Sequence, residues 1–430
     1  MDMEDDNAII AASAALLTLS CGLLLLQWKK KERMKRRKRR WWMISVNKSR
    51  LRYNGSDLLG DLRKEPSGKF ENFSRMSTED FDYLLNKIKL QITKKDTVLR
   101  KAISAEERFA VTLRFLATGD SFQSLGYLFK ISPQVISNIV PEVCNALISV
   151  LKDEIKLPKT SQEWLTIAKG FEELWNFPHC LGALDGKHIV IQSPFNSGSE
   201  YYNYKTSFSV VLMAAVDANY CLIYAEVGCQ GRISDGGVFK HTVLYDKLER
   251  EHLEIPLDAP LIIDHERTLL PFLFVADDAF PLRRNIMKPY PGVHSKGSTQ
   301  RIFNYRLSRA RRIVENAFGI LASVFRVFRK PMLLQPNKVS IITMTCILLH
   351  NFLRRSKTSS TRYTPQGTLD VEIEGRAIPG SWREDQTEMS SFLPLTRIAR
   401  KPSMEAKTIR DKFAEYFNTS GKIEWQDKYC

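Results

Sequence analysis

The sequence CLGALDGKHIVIQ, residues 180–192, opens the part of the chain that decides the fold. Two further apolar runs follow closely, FSVVLMAAVDA at 208–218 and YCLIYAEVG at 220–228. Apolar runs of this length, rich in β-branched and aromatic residues and bounded by turn residues, are typical of buried strands. Their short connections predict an antiparallel meander. A fourth apolar run, residues 272–276, predicts another strand, which ends at the two aspartates of VADDAFPL.

Helical patterns lie on both sides of these strands. Downstream, LSRARRIVENAFGILASVFRVF at 307–328 and VSIITMTCILLHNFLRR at 339–355 predict two long helices. Upstream, SAEERFAVTLRFLATG at 104–119 predicts a helix capped by Ser104, with Glu107 completing a capping box. The mixture of strands and helices predicts an α+β (mixed α/β) fold.

The stretch SFQSLGYLFKISPQVISNIV, residues 121–140, predicts two helices joined by a tight turn. With the preceding helix, this arrangement is typical of a helix-turn-helix, whose second helix would offer Gln134, Ser137 and Asn138 to a DNA groove. An ordinary helical hairpin explains the same spacing equally well.

The chain of 430 residues carries a formal net charge of +16 and a sequence pI near 9.4. Such an excess favours polyanionic partners, nucleic acid first and anionic membrane second, although a solvated basic surface also explains it. Seven widely spaced cysteines without a C-x-x-C pair indicate neither a zinc cluster nor a disulfide framework, so we expect a reducing compartment.

The N-terminus allows two interpretations. Residues 8–26 are almost wholly apolar and are followed by a basic run at 29–40. The length permits a membrane span with the body of the protein in the cytosol. Alternatively, the apolar segment packs on protein and the basic run is a nuclear import signal or a nucleic-acid arm.

Composition divides the chain into five predicted parts. They are an apolar segment with a basic arm at 1–50, a helical, helix-turn-helix-like domain at 70–151, a strand-rich core at 178–352, a disordered or loose loop at 355–400, and a C-terminal helix at 403–430.

Three acids are placed where one metal site would need them. Asp185 is predicted to close the first strand, Asp277 the fourth, and Glu315 to lie on the long helix. Three carboxylates gathered at one end of a sheet suit hard divalent cations. Each acid also has an ordinary explanation: Asp185 as a turn residue, Asp277 as a cap, and Glu315 as the partner of Arg311.

Six blocks in order resemble the Harbinger transposase-derived nucleases, relatives of the PIF/Harbinger DDE transposases. They are GALDGKHIVIQSP, NSGSEYYNYK, VGCQGRISDGGVFK, VADDAFPL, IFNYRLSRARRIVENAFGILASVFRVF and LLHNFL. The resemblance covers roughly residues 70–352. It implies an RNase H-like catalytic core, with a mixed five-stranded sheet, behind the helical segment.

The resemblance also implies the site. The catalytic acids carry over onto Asp185, Asp277 and Glu315. Asp235 in SDGG matches a further acid that the family uses for metal binding; its local sequence alone indicates only a helix cap. We expect Mg²⁺, or alternatively Mn²⁺, as the cofactor. Candidate phosphate contacts are Lys205, Arg309, Arg311 and Arg312.

The function implied is that of a metal-dependent DNA endonuclease of the DDE type. The alternative is a catalytically quiescent domesticated transposase that binds DNA, chromatin or partner proteins. The resemblance further implies a Myb/SANT-like DNA-binding partner and permits a homo-oligomer. We expect a nuclear protein with a cytoplasmic pool, or alternatively one anchored in a membrane through residues 8–26.

Overall fold

The computed structural model describes residues 3–33, 44–98, 100–233, 235–373, 376–383, 392–394 and 402–430. Packing divides the chain into two units, Met1–Ser49 and Arg50–Cys430. The first unit contains helices α1 (Met3–Arg33) and α2 (Ser45–Lys48). The apolar side chains of α1 are exposed. In the described chain, two helices have the length and composition to cross a membrane, Ile9–Lys29 and the partly buried Pro133–Glu154.

The second unit begins with a helical layer. Its helices are α3 (Gly55–Lys64), α4 (Lys69–Ser74), α5 (Thr78–Ile92), α6 (Ala105–Thr118), α7 (Phe122–Phe129) and α8 (Pro133–Leu151). The predicted capping box of α6 is confirmed, because Ser104 and Glu107 bond reciprocally at its start. The Glu107 carboxylate also accepts a hydrogen bond of 2.7 Å from the amide of Gly55, so one buried acid joins α3 to α6.

Helix α9 (Ser161–Trp175) leads into a mixed sheet. The next elements are β1 (Cys180–Ile191), β2 (Phe208–Val216), β3 (Leu222–Gln230), α10 (Asp235–Lys240), α11 (Val243–Glu249), β4 (Ala259–Ile263), β5 (Glu266–Leu270), β6 (Leu273–Val275) and β7 (Ile286–Met287). The main sheet has the order β3-β2-β1-β6-β7, while β4 and β5 form a separate hairpin. The predicted antiparallel meander β1-β2-β3 is confirmed, and β6 lies parallel to β1.

Helices cover both faces of the sheet. The remaining elements are α12 (Thr299–Val324), α13 (Pro336–Arg355), α14 (Ser360–Tyr363), β8 (Val371–Ile373), β9 (Arg376–Ile378), β10 (Phe392–Pro394), α15 (Met404–Asn418) and α16 (Gln426–Tyr429). One apolar cluster joins Ala183 and Val275 to the helices α12 and α13, and a second joins Leu184 and Phe274 to α9 and α10. This mixed α+β architecture fits the RNase H-like core that the sequence predicts.

The helical layer belongs to the same packing unit as the sheet. Helix α8 packs against α13 of the core, and Thr345 of α13 donates a hydrogen bond to the carbonyl of Cys144 in α8. Arg50–Cys430 therefore form one unit, and the predicted division into a helical domain and a nuclease domain stays a prediction.

The prediction of a disordered or loose loop at 355–400 is wrong for the described residues of that range. Strand β10 adds to the main sheet by pairing with β1, opposite Lys187, His188 and Ile189, and so becomes a sixth strand. Trp382 is buried and donates a hydrogen bond of 2.8 Å to Asn316 of α12. The segment has little periodicity because its short elements are held by tertiary contacts instead of by their own pattern.

The contact of Trp382 with α12 allows the ordered position of this segment to be tested. A Cβ added at Gly319 would lie 2.3 Å from the indole of Trp382. We expect Gly319→Ala to lower the free energy of unfolding by about 1 to 3 kcal/mol, since the indole must move. Urea denaturation measures the loss. The matched control is Gly60→Ala in α3, where a Cβ meets nothing within 4 Å; equal stability of the two variants would show that Trp382 does not occupy this position.

Candidate catalytic carboxylates

Strand register brings Asp185 and Asp277 together. Strands β1 and β6 are parallel neighbours in which Ala183 pairs with Val275. Each aspartate stands two residues after its member of that pair. Because side chains alternate along a strand, both carboxylates point to the face covered by α12. Asp185 lies within β1, not at its end as predicted, because the strand continues to Ile191.

The surroundings of Asp277 change its titration. Burial, and after it the negative charge of Asp185, raises the pKa of Asp277 to about 6. Asp277 accepts one hydrogen bond, of 2.9 Å, from the amide of Ala279. The positive charges of Arg311 and Lys187 oppose the increase without cancelling it. The site therefore holds two acids whose charges repel each other in a largely buried place.

The oxygens of Asp185 have unequal surroundings. Its Oδ1 accepts a hydrogen bond of 2.8 Å from the amide of Gly186. Its Oδ2 is buried and accepts no hydrogen bond of good geometry, although Lys187 Nζ lies 3.1 Å away as an ion-pair partner. Carboxylate oxygens are the ligands that hard divalent cations prefer. A buried Asp185 oxygen without a hydrogen bond, close enough to Asp277 for the two charges to interact, therefore fits a divalent cation.

The third predicted acid, Glu315, is engaged by a neighbour on its own helix. Arg311 donates a hydrogen bond of 2.6 Å to Glu315 one turn later. Phe318 continues this stripe of α12 and lies under Lys187, whose Nζ is 5.6 Å from the ring centroid. Among the described residues, no three His, Cys, Asp or Glu side chains are close enough together to hold a metal ion. The structure thus assembles two of the predicted acids and holds the third in an ion pair.

Two further acids, Asp235 and Asp278, belong to the sequence blocks that resemble the nuclease family. Asp235 begins α10, but its side chain lies outside the described part of the structure, so its role as metal ligand or cap stays a prediction. Asp278, next to Asp277, lies 3.8 Å from Lys288 Nζ, and its carbonyl accepts a hydrogen bond from the same amine.

Two of the four predicted phosphate contacts bind within the protein. Arg309 is buried and donates a hydrogen bond of 2.8 Å to Glu372 of β8, and Arg312 lies 3.4 Å from the same carboxylate. Buried Arg309 uses its charge to hold β8 on α12, which speaks against a DNA contact for this residue, whereas the contact predicted for half-buried Arg312 stays a prediction. Arg311 is paired with Glu315, and Lys205 is exposed beside the Tyr204 ring.

The predicted helix-turn-helix residues lie at the start of α8. Gln134 and Asn138 are exposed, while Ser137 is half-buried and donates its hydroxyl hydrogen to the carbonyl of Gln134. A turn of three residues, 130–132, separates α7 from α8. The exposure is compatible with DNA contact, which stays a prediction.

Two basic residues of the site were missed. Lys187 contacts Asp185, and its signal was the spacing of two along a strand, which places both on one face. Arg383 is hydrogen bonded to Asp370, which is the main reason its pKa is raised, and the charge of Glu315 adds to that increase. Arg383 lies in the range predicted to be a disordered or loose loop, so no sequence pattern indicated it.

The known families and proteins with similar sequences include nuclease-related ones. Residues 184–351 match the family described as DDE superfamily endonuclease. The Arabidopsis thaliana protein ALP1-like is 28% identical over 291 residues, which cover 66% of this chain and 70% of that protein. Antagonist of like heterochromatin protein 1, also from Arabidopsis thaliana, is 24% identical over 66% of this chain and 72% of its own. HARBI1 of Homo sapiens, which carries "nuclease" in its name, is 24% identical over 60% of this chain and 69% of its own. No solved structure matches.

Residues 184–351, which include both aspartates and the covering helix α12, are similar to the DDE superfamily endonucleases. The relatives support the resemblance to the Harbinger transposase-derived nucleases that the six sequence blocks indicated.

Proposed function

We propose that this protein is a divalent-metal-dependent DNA endonuclease that hydrolyses phosphodiesters. The observation that carries the proposal is the Asp185–Asp277 pair: Asp185 is buried within β1, and half-buried Asp277 follows the end of the parallel neighbour β6. Repulsion between two such carboxylates opposes folding unless a cation is bound. Acids that are kept together at this cost are typical of functional sites. The relative named as a nuclease supports the same proposal.

Each side chain of the site has a distinct role in this proposal. Asp185 and Asp277 would hold the metal, and Glu315 would be the third ligand if it were released from Arg311. Lys187, beside Asp185, and Arg311, beside Glu315, limit the negative charge that the carboxylates present to a DNA phosphate. The chemistry that divalent cations supply in such a site is activation of a water and stabilisation of the leaving oxygen. Oxygen ligands favour Mg²⁺, with Mn²⁺ as the alternative.

A nicking assay tests the proposal. The full chain is incubated with supercoiled plasmid in the presence of Mg²⁺, of Mn²⁺ or of EDTA. Conversion to open circles with either metal and none with EDTA is the expected result. DNA binding without cutting in any metal, by a protein that is folded, would contradict it.

A second candidate function is a DNA- or chromatin-binding protein without cleavage. The ion pair between Arg311 and Glu315 favours it, since Glu315 is engaged by this arginine and, among the described residues, the three acids do not form one metal-binding group. One relative is named as an antagonist of a heterochromatin protein, which gives the same candidate further support. The nicking assay separates the two functions.

We also propose partners and a location. DNA is the substrate, and a Myb/SANT-like protein assists DNA binding, as the family resemblance implies; a homo-oligomer is permitted by the same resemblance. The location proposed is the nucleus, with a cytoplasmic pool, and the basic run at 29–40 directs import. Residues 34–40 of that run lie outside the described residues.

The exposed apolar helix α1 favours the rival location, a membrane. Under the nuclear proposal, a tagged chain and the same chain lacking residues 1–28 are both expected in the nuclear fraction. Fractionation with a carbonate wash measures this. Retention of the full chain in washed membranes, with release on deletion, would reject the nuclear proposal in favour of an anchor.

A further inference from the structure

A cavity rich in arginine lies between the helical layer and the core. Its volume is about 360 Å³, and it is formed by the end of α4, the turn after α12 and the segment around α14. Arg75, Arg326 and Arg362 line it, and we call these three residues the arginine pocket. None of the carboxylates Asp185, Asp277 or Glu315 is part of its lining.

Arg75 is the most constrained member of the arginine pocket. It ends α4 with a left-handed φ of 63°, and its Nη1 donates a hydrogen bond of 2.6 Å to Asn72. Its Nε is buried without a hydrogen-bond partner. Burial lowers the pKa of Arg75 to about 10, and the charges of Arg326, Arg114 and Arg329 add to the decrease. A half-buried cation surrounded by like charges opposes folding.

The carboxylates of the described chain leave this charge uncompensated. Glu71 is the one acidic side chain among the described lining residues, and it pairs with Arg362 at 2.7 Å. Arg75, Arg114 and Arg326 make no ion pair with any described carboxylate. Arg114 instead lies over the ring of Phe73, 4.9 Å from its centroid.

We propose that the arginine pocket binds a phosphate group. Guanidinium groups match phosphate in geometry and charge, and a cavity that gathers them without matching acids attracts a compact anion. The phosphate has two possible sources of the same chemistry: the backbone of a DNA duplex, which rests on the proposed function, or a soluble phosphate.

The first arm of the test uses inorganic phosphate alone. The full chain is melted in phosphate and in chloride of equal ionic strength. We expect phosphate to raise the melting midpoint by on the order of 3 °C. The double variant Arg75→Gln with Arg326→Gln should lose this rise, whereas the charge-matched control Arg52→Gln with Arg250→Gln, both at exposed positions, should keep it.

The melting midpoint in chloride, without phosphate, shows whether the double variant is folded as stably as the wild type. Because Arg75→Gln removes a half-buried charge that its arginine neighbours repel, the double variant is expected to melt at or above the wild type in chloride. Arg326→Gln alone, at an exposed position, should reduce the phosphate response without any effect on folding.

The second arm measures binding of a random-sequence DNA duplex of about 30 base pairs in EDTA over a series of salt concentrations. If the pocket takes backbone phosphate, the double variant binds more weakly than the control pair, and its salt slope falls by about 1 for each DNA phosphate that it no longer neutralises. If the double variant loses the response to inorganic phosphate but binds DNA as the control pair does, the pocket is assigned to a soluble phosphate. If both variants behave alike in both arms, the proposal is overturned, whatever the nicking assay shows.

Discussion

Replacing Asp277 or Asp185 with asparagine is expected to lower the rate of plasmid nicking by on the order of 10³-fold. The amide keeps the size and one acceptor oxygen of each side chain but carries no negative charge, so the pair no longer holds a divalent cation. Glu315→Gln is expected to have the same effect, provided that Glu315 exchanges Arg311 for the metal. Nicking rates in Mg²⁺ at equal protein concentration measure all three variants.

The matched control for this prediction is Asp278→Asn. Asp278 is adjacent in sequence and loses the same charge, but its carboxylate faces Lys288, so nicking should stay within about threefold of the wild type. Cutting that survives Asp277→Asn and Asp185→Asn would mean that the carboxylate pair is not the catalytic centre. Equal losses for Asp277→Asn and Asp278→Asn would mean that the site was placed one residue wrong.

The same substitution, Asp277→Asn, is expected to stabilise the metal-free protein. The pKa of Asp277 is about 6 in the folded chain and 3.8 without the fold. The folded state therefore binds the proton more tightly, and the stability of the wild type falls as the pH rises from about 4 to 6. Above pH 6 the buried charge costs about 3 kcal/mol, which the neutral amide avoids.

Urea denaturation in EDTA measures this gain. Asp277→Asn should exceed the wild type by up to about 3 kcal/mol near pH 7.5 and equal it near pH 4, where both side chains are neutral. Asp278→Asn, as the control, should show no gain at either pH. A stability difference between Asp277→Asn and the wild type that does not change with pH would show that the effect comes from packing and not from charge.

Local patterns were sufficient for the strands and for the position of the acids. Continuous apolar runs bounded by turn residues predicted β1, β2 and β3, and the apolar run at 272–276 predicted the strand that precedes Asp277. The capping box of Ser104 and Glu107 could be predicted from the sequence because its two hydrogen bonds join residues only three positions apart. Asp185 was found by its block, although the end of its strand was misplaced because β1 continues through a glycine and a lysine.

The interactions that complete the site were beyond the reach of any local pattern. The sequence by itself determined the mixed fold and indicated the family resemblance and the candidate carboxylates, because these depend on the order and spacing of residues along the chain. Tertiary structure decided that Glu372 binds Arg309 and Arg312 from about 60 residues away, and that Arg383 lies near Glu315. Whether an arginine faces DNA or a buried glutamate depends on which distant segment folds against it, and only the packing of the whole chain sets that choice.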